Sequence, residues 1–307
     1  MPRPLLATTL LLGLGLLASP VAAQPGDSLA VLVVTAHPDD ETLMAGALYK
    51  LTHTLGANVD LALVTDGGGG FHYAMIAEPY YGVPLHYEEA ARQHLPAVRK
   101  EELRGSARVL GLRDLFFLDA FDHEYTTDVD TVLQHVWDVD AVRDSLRAIM
   151  ARGRYDFVLG LLPTEETHGH HKAATILALE AAGQLPTDAR PVVLGADFAD
   201  AEDLPAPDGP PYTFSGLAGY PITAVDPSAP VFRFDRLQPM EEDGVVDYKL
   251  VANWALAEHK SQGDLAGYFN RGDYEFYWFF AANDPAKLDD AATLFARLDE
   301  NPWRWWR

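Results

Sequence analysis

The sequence predicts a three-layer α/β fold, in which a Rossmann-like, mostly parallel sheet carries helices on both faces. Short apolar runs alternate with segments of helical periodicity from residue 29 to about residue 182. Alternation of this kind is typical of βαβ units, whose strands are parallel and whose crossovers are right-handed. The hydrophobic content of 48% in 307 residues is also sufficient for a sizeable core.

Four apolar runs are interpreted as buried strands, because each is short, nearly continuous and bounded by polar or turn residues. They are residues 29–36, 59–65, 115–119 and 157–162. Apolar residues at helical spacing predict helices at 43–55, at 96–111, within 140–151, at 173–182 and at 245–260. Gly56 and Gly111 are expected to end the first two helices, and Pro96 is placed in the first turn of the second.

The chain is predicted to have three parts. Residues 1–23 are interpreted as a signal peptide, with a basic residue, an apolar segment and small residues before a cleavage site at Gln24. A retained N-terminal anchor is the alternative. Residues 24–262 form the main domain, with an irregular, proline-rich insertion at about 200–231. Residues 263–307 form an aromatic C-terminal extension.

Composition restricts the partners and the chemistry. The chain has 45 acidic and 23 basic residues, and its formal net charge is −22. Such a surface disfavours nucleic acid and anionic lipid and suits a neutral or cationic substrate; a salt-tolerant source would explain the acidity equally well. The chain has no cysteine, so any metal site must use histidine and carboxylate ligands.

Two polar clusters follow predicted strands directly. The first, residues 37–41, is His-Pro-Asp-Asp-Glu, and the second, residues 167–172, is Thr-His-Gly-His-His-Lys. The carboxyl ends of parallel strands lie at one edge of a sheet, where α/β proteins bind ligands. Buried polar groups are costly unless they are paired, which favours a bound divalent metal. The alternatives are a helix N-terminus capped by Asp39, a solvated histidine loop and a structural calcium site.

Five motifs in order resemble those of the PIG-L/LmbE family of zinc-dependent N-deacetylases, over roughly residues 29–262. They are Ala-His-Pro-Asp-Asp-Glu at 36–41, Val-Thr-Asp-Gly-Gly at 64–68, Arg-Lys-Glu-Glu at 99–102 with the segments 107–111 and 116–119, His-x-x-His at 168–171 and Glu-His-Lys-Ser-Gln at 258–262. The resemblance implies the same α/β fold and hydrolysis of an N-acetyl group on an amino sugar.

The resemblance also implies roles for individual residues. His37, Asp40 and His171 would hold one zinc ion, although iron and manganese also accept such ligands. Asp39 would be the general base that takes a proton from the attacking water. His168 would stabilise the oxyanion and protonate the leaving amine. Glu41 is interpreted as a helix-start residue or a neighbour of the metal ligands.

Four further residues are candidate substrate-binding residues: Arg99, Asp66, His259 and Gln262. The alternatives are structural, since Arg99 could form an ion pair on a helix surface and the last two could simply end a helix. Aromatic residues at 71–94 could stack on sugar faces or could pack against one another.

One residue departs from the family pattern. His170 stands where the family usually has Asp or Asn, and a carboxylate at this position would orient the preceding His168 and raise its pKa. Asp66 or Asp119 is expected to supply that acid instead, and His170 as an additional metal ligand is the alternative.

The sequence therefore predicts an exported, periplasmic or extracellular zinc-dependent hydrolase that removes an N-acetyl group from an amino sugar or sugar conjugate. Its partner would be that glycoconjugate, without nucleic acid and without stable membrane insertion after signal cleavage. Two alternatives stay open. One is a zinc amidase for another acyl or peptide-like amide, and the other is a carbohydrate-binding protein that keeps the metal site without turnover.

Overall fold

The computed structural model describes residues 28–207 and 209–301, and the predicted signal peptide therefore lies outside the described residues. The strands of this part are β1 Ala30–Thr35, β2 Asn58–Thr65, β3 Leu115–Ala120, β4 Phe157–Leu161, β5 Val192–Ala199, β6 Phe232–Asp235 and β7 Tyr274–Phe279. Its α-helices are α1 Ala45–Tyr49, α2 Glu78–Tyr81, α3 Glu88–Leu110, α4 Val129–Thr131, α5 Val139–Gly153, α6 Gly169–Gly183, α7 Lys249–Glu258 and α8 Leu288–Asp299.

The seven strands form one sheet in the order β3-β2-β1-β4-β5-β7-β6. Strands β1 to β5 are parallel, whereas β7 runs antiparallel to β5 and β6 runs antiparallel to β7. The chain moves outward from β1 to β3 and then returns to place β4 on the other side of β1. This reversal between β1 and β4 is a topological switch point, the usual ligand position in such sheets.

Helices cover both faces of the sheet, which confirms the three-layer prediction. In β1, Val31 and Val33 face one hydrophobic core and Leu32 and Val34 face the other, and all four are fully buried. The first core packs under α1, α3, α7 and α8, and the second packs under α5 and α6. A strand buried on both faces needs a continuous apolar run. Burying each such side chain contributes about 1.5–3 kcal/mol.

The helix predicted from Pro96 begins eight residues earlier, at Glu88, so Pro96 lies inside α3. Proline in a helix interior removes one hydrogen bond, which argues for a helix start from sequence alone. The structure adds burial of Ala91 and Leu95 in a small satellite core beneath residues 71–94. This tertiary packing extends the helix through the proline.

Three strands, β5, β6 and β7, were not predicted from the sequence. Strand β7 falls within the predicted aromatic extension, yet it lies inside the sheet between β5 and β6 and five of its six residues are buried. In the described part of residues 200–231 there are 3-10 turns at Ala201–Asp203 and Pro221–Thr223, and the rest is irregular. Among the described residues, no helix is both long and apolar enough to span a membrane.

Candidate metal centre

The two polar clusters meet at the switch point of the sheet. Strand β1 ends at Thr35 and β4 ends at Leu161, and these neighbouring strands deliver residues 36–41 and 162–171 to the same edge. A cavity of about 480 Å³ opens there and is lined by residues of both clusters. The expectation that the clusters come together is confirmed by this geometry.

Three donor atoms converge in the floor of the cavity. His37 Nδ1 lies 3.0 Å from His171 Nε2, which lies 3.1 Å from Asp40 Oδ1. His37 Nδ1 and Asp40 Oδ1 are 3.8 Å apart. Ligand atoms in a tetrahedral shell with metal–ligand bonds of about 2.1 Å are separated by ~3.4 Å. The three side chains therefore have the spacing of one coordination sphere and could hold a metal ion.

The protein fixes the other polar atom of two of these ligands. Asp40 Oδ2 accepts hydrogen bonds from the backbone N–H groups of Ala36 and His37, both at 2.9 Å. His171 Nδ1 lies 2.9 Å from Thr167 Oγ1. Burial disfavours the Asp40 carboxylate, but the His171 and His37 imidazoles outweigh it and hold the pKa of Asp40 well below its usual value. Each residue thus leaves one atom for the cation, and the donor set fits zinc or a similar transition metal.

Asp122 supports His37 from behind, although sequence reasoning did not single it out. It is 3% exposed, and its Oδ1 lies 3.5 Å from His37 Nε2 and 3.4 Å from His170 Nδ1. Burial lowers the pKa of His37, but Asp122 and Asp40 raise it to about 10, which shows how strongly the surroundings favour positive charge. Metal-binding histidines typically present their second nitrogen to a carboxylate in this way. The feature of the sequence that could have identified Asp122 is its position just after β3, at the same edge of the sheet.

His168 occupies the N-cap position of α6. Its Nδ1 accepts the backbone N–H of His170 at 3.0 Å, so the proton of the neutral ring lies on Nε2. Burial, together with the neighbouring His37 and His170, lowers the pKa of His168 to about 2. His168 is therefore a neutral donor that lines the cavity.

Among the described residues, His170 does not line the cavity, unlike His168. It is fully buried, stacks on Trp137 with ring centroids 5.2 Å apart and places Nδ1 3.0 Å from His37 Nε2. The acids expected to support His168 are elsewhere: Asp119 pairs with Lys100, and Asp66 accepts the Gly68 N–H at 2.8 Å. Among the described residues, Asp66 is not part of the cavity lining, so the structure does not bring it to the site as predicted.

Asp39 lines the cavity beside the metal ligands. Its backbone has φ 139° and ψ −22°, and its side chain makes no cap contact with the following turn. Instead, Asp39 Oδ2 accepts from Arg99 Nη2 at 2.9 Å. Burial raises the pKa of Asp39 to about 6, against the lowering effect of Arg99. A carboxyl group with a pKa near the working pH suits a general base.

Arg99 is 2% exposed and is not part of a surface pair. Besides Asp39, its guanidinium donates to the Pro38 carbonyl at 2.8 Å and to the Gly67 carbonyl at 3.0 Å. Arg99 therefore anchors the loop that carries Asp39, while one side of it still lines the cavity.

His259 and Gln262, from the late motif, lie at different depths. His259 is buried, with Nε2 2.6 Å from Glu41 Oε1, and within the described part it does not line the cavity. Gln262 does line the cavity, and its Nε2 donates to the Gly70 carbonyl at 3.2 Å. Glu102 holds the motif in place by accepting from the Ser261 backbone N–H and hydroxyl at 2.7 and 2.6 Å.

Aromatic side chains form much of the cavity mouth. Tyr73, Tyr125 and Tyr268 line it and are 55%, 72% and 49% exposed. Residues 71–94 also pack on one another around the satellite core, so this segment is self-packed and still presents a tyrosine to the cavity. Exposed aromatic faces beside a polar site are suited to stacking on sugar rings.

The fold and the site together define a Rossmann-like α/β protein with a His-Asp-His cluster that could hold a metal ion at the switch point of its sheet. The family resemblance is confirmed over residues 32–182, which match the PIG-L family model, described as GlcNAc-PI de-N-acetylase. That match contains the three metal-ligand candidates, Asp39 and His168.

Two curated proteins are similar to this chain, and both are described as probable N-acetyl-α-D-glucosaminyl L-malate deacetylase 2. The Bacillus cereus protein is 29% identical over 163 residues, which cover 53% of this chain and 65% of that protein, slightly less than two thirds of its length. The Bacillus anthracis protein is 27% identical over 225 residues, which cover 71% of this chain and 88% of that protein.

Solved structures share the fold at low identity. A triple mutant of a deacetylase of the teicoplanin biosynthetic pathway is 18% identical, with a TM-score of 0.54 over 84% of this chain and 100% of that one. The A40926 pseudoaglycone deacetylase Dbv21 is 15% identical, with a TM-score of 0.50 over 84% of this chain and 99% of that one. These likenesses confirm the α/β fold.

Proposed function

We propose that this protein is a metal-dependent hydrolase that removes an N-acetyl group from an amino sugar or sugar conjugate. The observation that carries the proposal is the convergence of His37, Asp40 and His171 beside Asp39 in one aromatic-lined cavity. The match of residues 32–182 to the PIG-L family model and the names of the two similar Bacillus proteins support the same reaction.

In this proposal His37, Asp40 and His171 hold a divalent cation, zinc being favoured by the ligand set. Such a cation would polarise the amide carbonyl and make water more acidic. Asp39, oriented by Arg99, takes the proton from the attacking water.

His168 donates from Nε2 to the oxyanion that develops on the carbonyl oxygen. His168 carries its ring proton on Nε2, because Nδ1 accepts the His170 N–H, and it therefore serves as a hydrogen-bond donor. The proton that the leaving amine requires then comes from Asp39, which received it from water. This assigns both proton transfers to one carboxylate, unlike the roles implied by the family resemblance alone.

The test is acetate release by metal-loaded protein from chitooligosaccharides, N-acetylglucosamine conjugates and cell-wall fragments. Absence of acetate from every substrate, with folded and zinc-containing protein, would refute the proposal. N-propionyl and N-butyryl versions of the best substrate test the wider amidase alternative. If Asp39→Asn abolishes turnover and leaves sugar affinity intact, the non-catalytic binding protein is excluded.

We also propose that the protein is exported, because residues 1–23 have the charge and hydropathy pattern of a cleaved signal peptide. Expression in the native host followed by fractionation and N-terminal sequencing provides the test. A mature protein that begins at Gln24 outside the cytoplasm is expected. Recovery of the uncleaved chain in the cytoplasm would contradict export, and recovery in the membrane would indicate a retained anchor.

A further inference from the structure

Asp39 has a strained backbone at the position of the proposed general base. Its φ of 139° with ψ of −22° lies in a region that residues with a side chain rarely adopt. A conformation of this kind costs on the order of 1–3 kcal/mol and persists only where surrounding contacts enforce it. The contacts around Asp39 therefore identify the groups that maintain the geometry of the base.

Contacts on the cavity side hold the carboxylate and the carbonyl of Asp39. Arg99 Nη2 donates to Asp39 Oδ2 at 2.9 Å. Thr42 donates to the Asp39 carbonyl twice, from its hydroxyl at 2.7 Å and from its backbone N–H at 3.0 Å. These bonds leave the direction of the Asp39 N–H to be fixed by another partner.

That partner is Glu41, on the side of the loop away from the cavity. The Asp39 N–H donates to Glu41 Oε2 at 3.0 Å. Glu41 is fully buried, and its Oε1 accepts from Ser106 of α3 at 2.5 Å and from His259, at the end of α7, at 2.6 Å. The carboxylate that orients the Asp39 peptide is thus itself held by two helices of the same layer.

His259 is the counter-group of this carboxylate. A carboxylate only accepts hydrogen bonds, so His259 Nε2 carries the proton in the contact. Both side chains are inaccessible to solvent, and Nδ1 of His259 has no hydrogen-bond partner among the described residues. The ring therefore has one polar contact, and that contact is to Glu41.

We propose that Glu41 and His259 are positioning residues that hold Asp39 in its strained conformation, so that its carboxylate stays aimed at the reacting water. The inference rests on the proposed deacetylase function. It changes the role expected for His259 from substrate contact to support of the base. It also assigns Glu41 the role of orienting the Asp39 peptide N–H.

The experiment compares Glu41→Gln with a matched control, Glu102→Gln. Glu102 is also buried and binds the same late motif, but its hydrogen bonds go to Tyr81 and Ser261. We expect Glu41→Gln to retain its metal and to lower kcat by about 10- to 100-fold, with KM within about threefold, because small misplacements of a catalytic group have effects of this size. Glu102→Gln should lower the unfolding midpoint and keep kcat within about threefold.

A double-mutant cycle separates positioning from general structural damage. If Glu41 acts through the base, Glu41→Gln should have no further effect on the residual kcat of Asp39→Asn. Multiplicative losses, or equal losses of kcat in Glu41→Gln and Glu102→Gln, would overturn the inference. If Glu41→Gln does not fold, the same double-mutant cycle with Asp39→Asn is measured with His259→Gln.

A readout independent of turnover keeps this inference distinct from the proposed function. In a crystal structure of Glu41→Gln, the φ of Asp39 should leave the positive region, and an unchanged φ would also overturn the inference. If the unaltered protein releases no acetate from any substrate, the function fails, while the backbone result still reports on what holds Asp39.

Discussion

Replacing Asp122 by asparagine tests whether this buried carboxylate strengthens metal binding through His37. The substitution preserves shape and an acceptor for the Gly69 N–H, which Asp122 Oδ2 binds at 2.9 Å. It removes the charge that lies 3.5 Å from His37 Nε2. The matched control is Asp119→Asn. Asp119 lies in β3, the strand that precedes Asp122, but its side chain is 56% exposed and pairs only with Lys100 among the described residues.

The expected magnitude follows from the distance. With the imidazole ring between them, the Asp122 carboxylate and a cation at Nδ1 are separated by roughly 7 Å, which gives about 2.4 kcal/mol at an effective dielectric constant of about 20. Loss of a carboxylate that supports a histidine ligand typically weakens metal affinity by about 10- to 100-fold, or ~1.4–2.7 kcal/mol. The two estimates agree.

The measurement is zinc affinity, determined by competition with a chromophoric chelator at fixed pH. We expect Asp122→Asn to bind zinc about 10- to 100-fold more weakly and Asp119→Asn to remain within about twofold of the unaltered protein. Asp122→Asn protein that is folded and binds zinc within about threefold of the unaltered protein would refute the reasoning.

The remaining predictions concern the base, the charge of the cavity, the buried ion pair and the metal. Asp39→Asn should lower kcat by at least about 100-fold and leave zinc content unchanged, since general-base catalysis contributes about that much or more; normal turnover with full zinc would contradict this role. Glu166 and Asp264 line the cavity without an ion-pair partner among the described residues, so kcat/KM should be higher for conjugates with a cationic aglycone than for anionic ones. Replacing both by amides should reduce that ratio at low salt by about tenfold, and an unchanged ratio would show that they do not select substrate charge. Burial lowers the pKa of His259, but Glu41 outweighs it and raises the pKa above the usual value. The stability that protonated His259 contributes is therefore complete below a pH of about 6.5 and is lost as the pH rises through the raised pKa. Urea unfolding should thus show that His259→Gln loses the most unfolding free energy, relative to the unaltered protein, at low pH. A loss that grows with pH would contradict the raised pKa of His259. Removing zinc with a chelator should lower the unfolding free energy by about 2.7 kcal/mol relative to protein in zinc at 100 times its Kd, and an equal stability would mean that the native state does not bind the ion.

Much of the fold follows from local pattern. The four predicted strands correspond to β1, β2, β3 and β4 within one residue at each end, because each is a continuous apolar run that can be buried on both faces. Strands β5, β6 and β7 were missed because their mixed and aromatic sequences do not by period alone distinguish a strand from other buried segments. The start of α3 was missed because burial of Ala91 and Leu95 extends the helix through Pro96.

The candidate site, too, could be predicted only in part from the sequence. Strand position predicted that the two polar clusters meet, since residues after neighbouring parallel strands lie at one edge. The family resemblance then singled out His37, Asp40 and His171 as candidate ligands and Asp39 as the candidate base. Local sequence could not show that Asp66 supports a turn outside the cavity lining of the described residues.

The sequence by itself determined the α/β class and the meeting of the two polar clusters at one edge of the sheet, because both depend on residue type and short-range spacing. Only the tertiary structure decided which side chains support the candidate ligands and the candidate base. Asp122 reaches His37 from the loop after β3, and Glu41 meets His259 across 218 positions of sequence. Such contacts arise where helices and strands pack, and no local period encodes them. The strain at Asp39 is likewise a property of the folded chain, because its hydrogen bonds come from several elements that only the fold brings together.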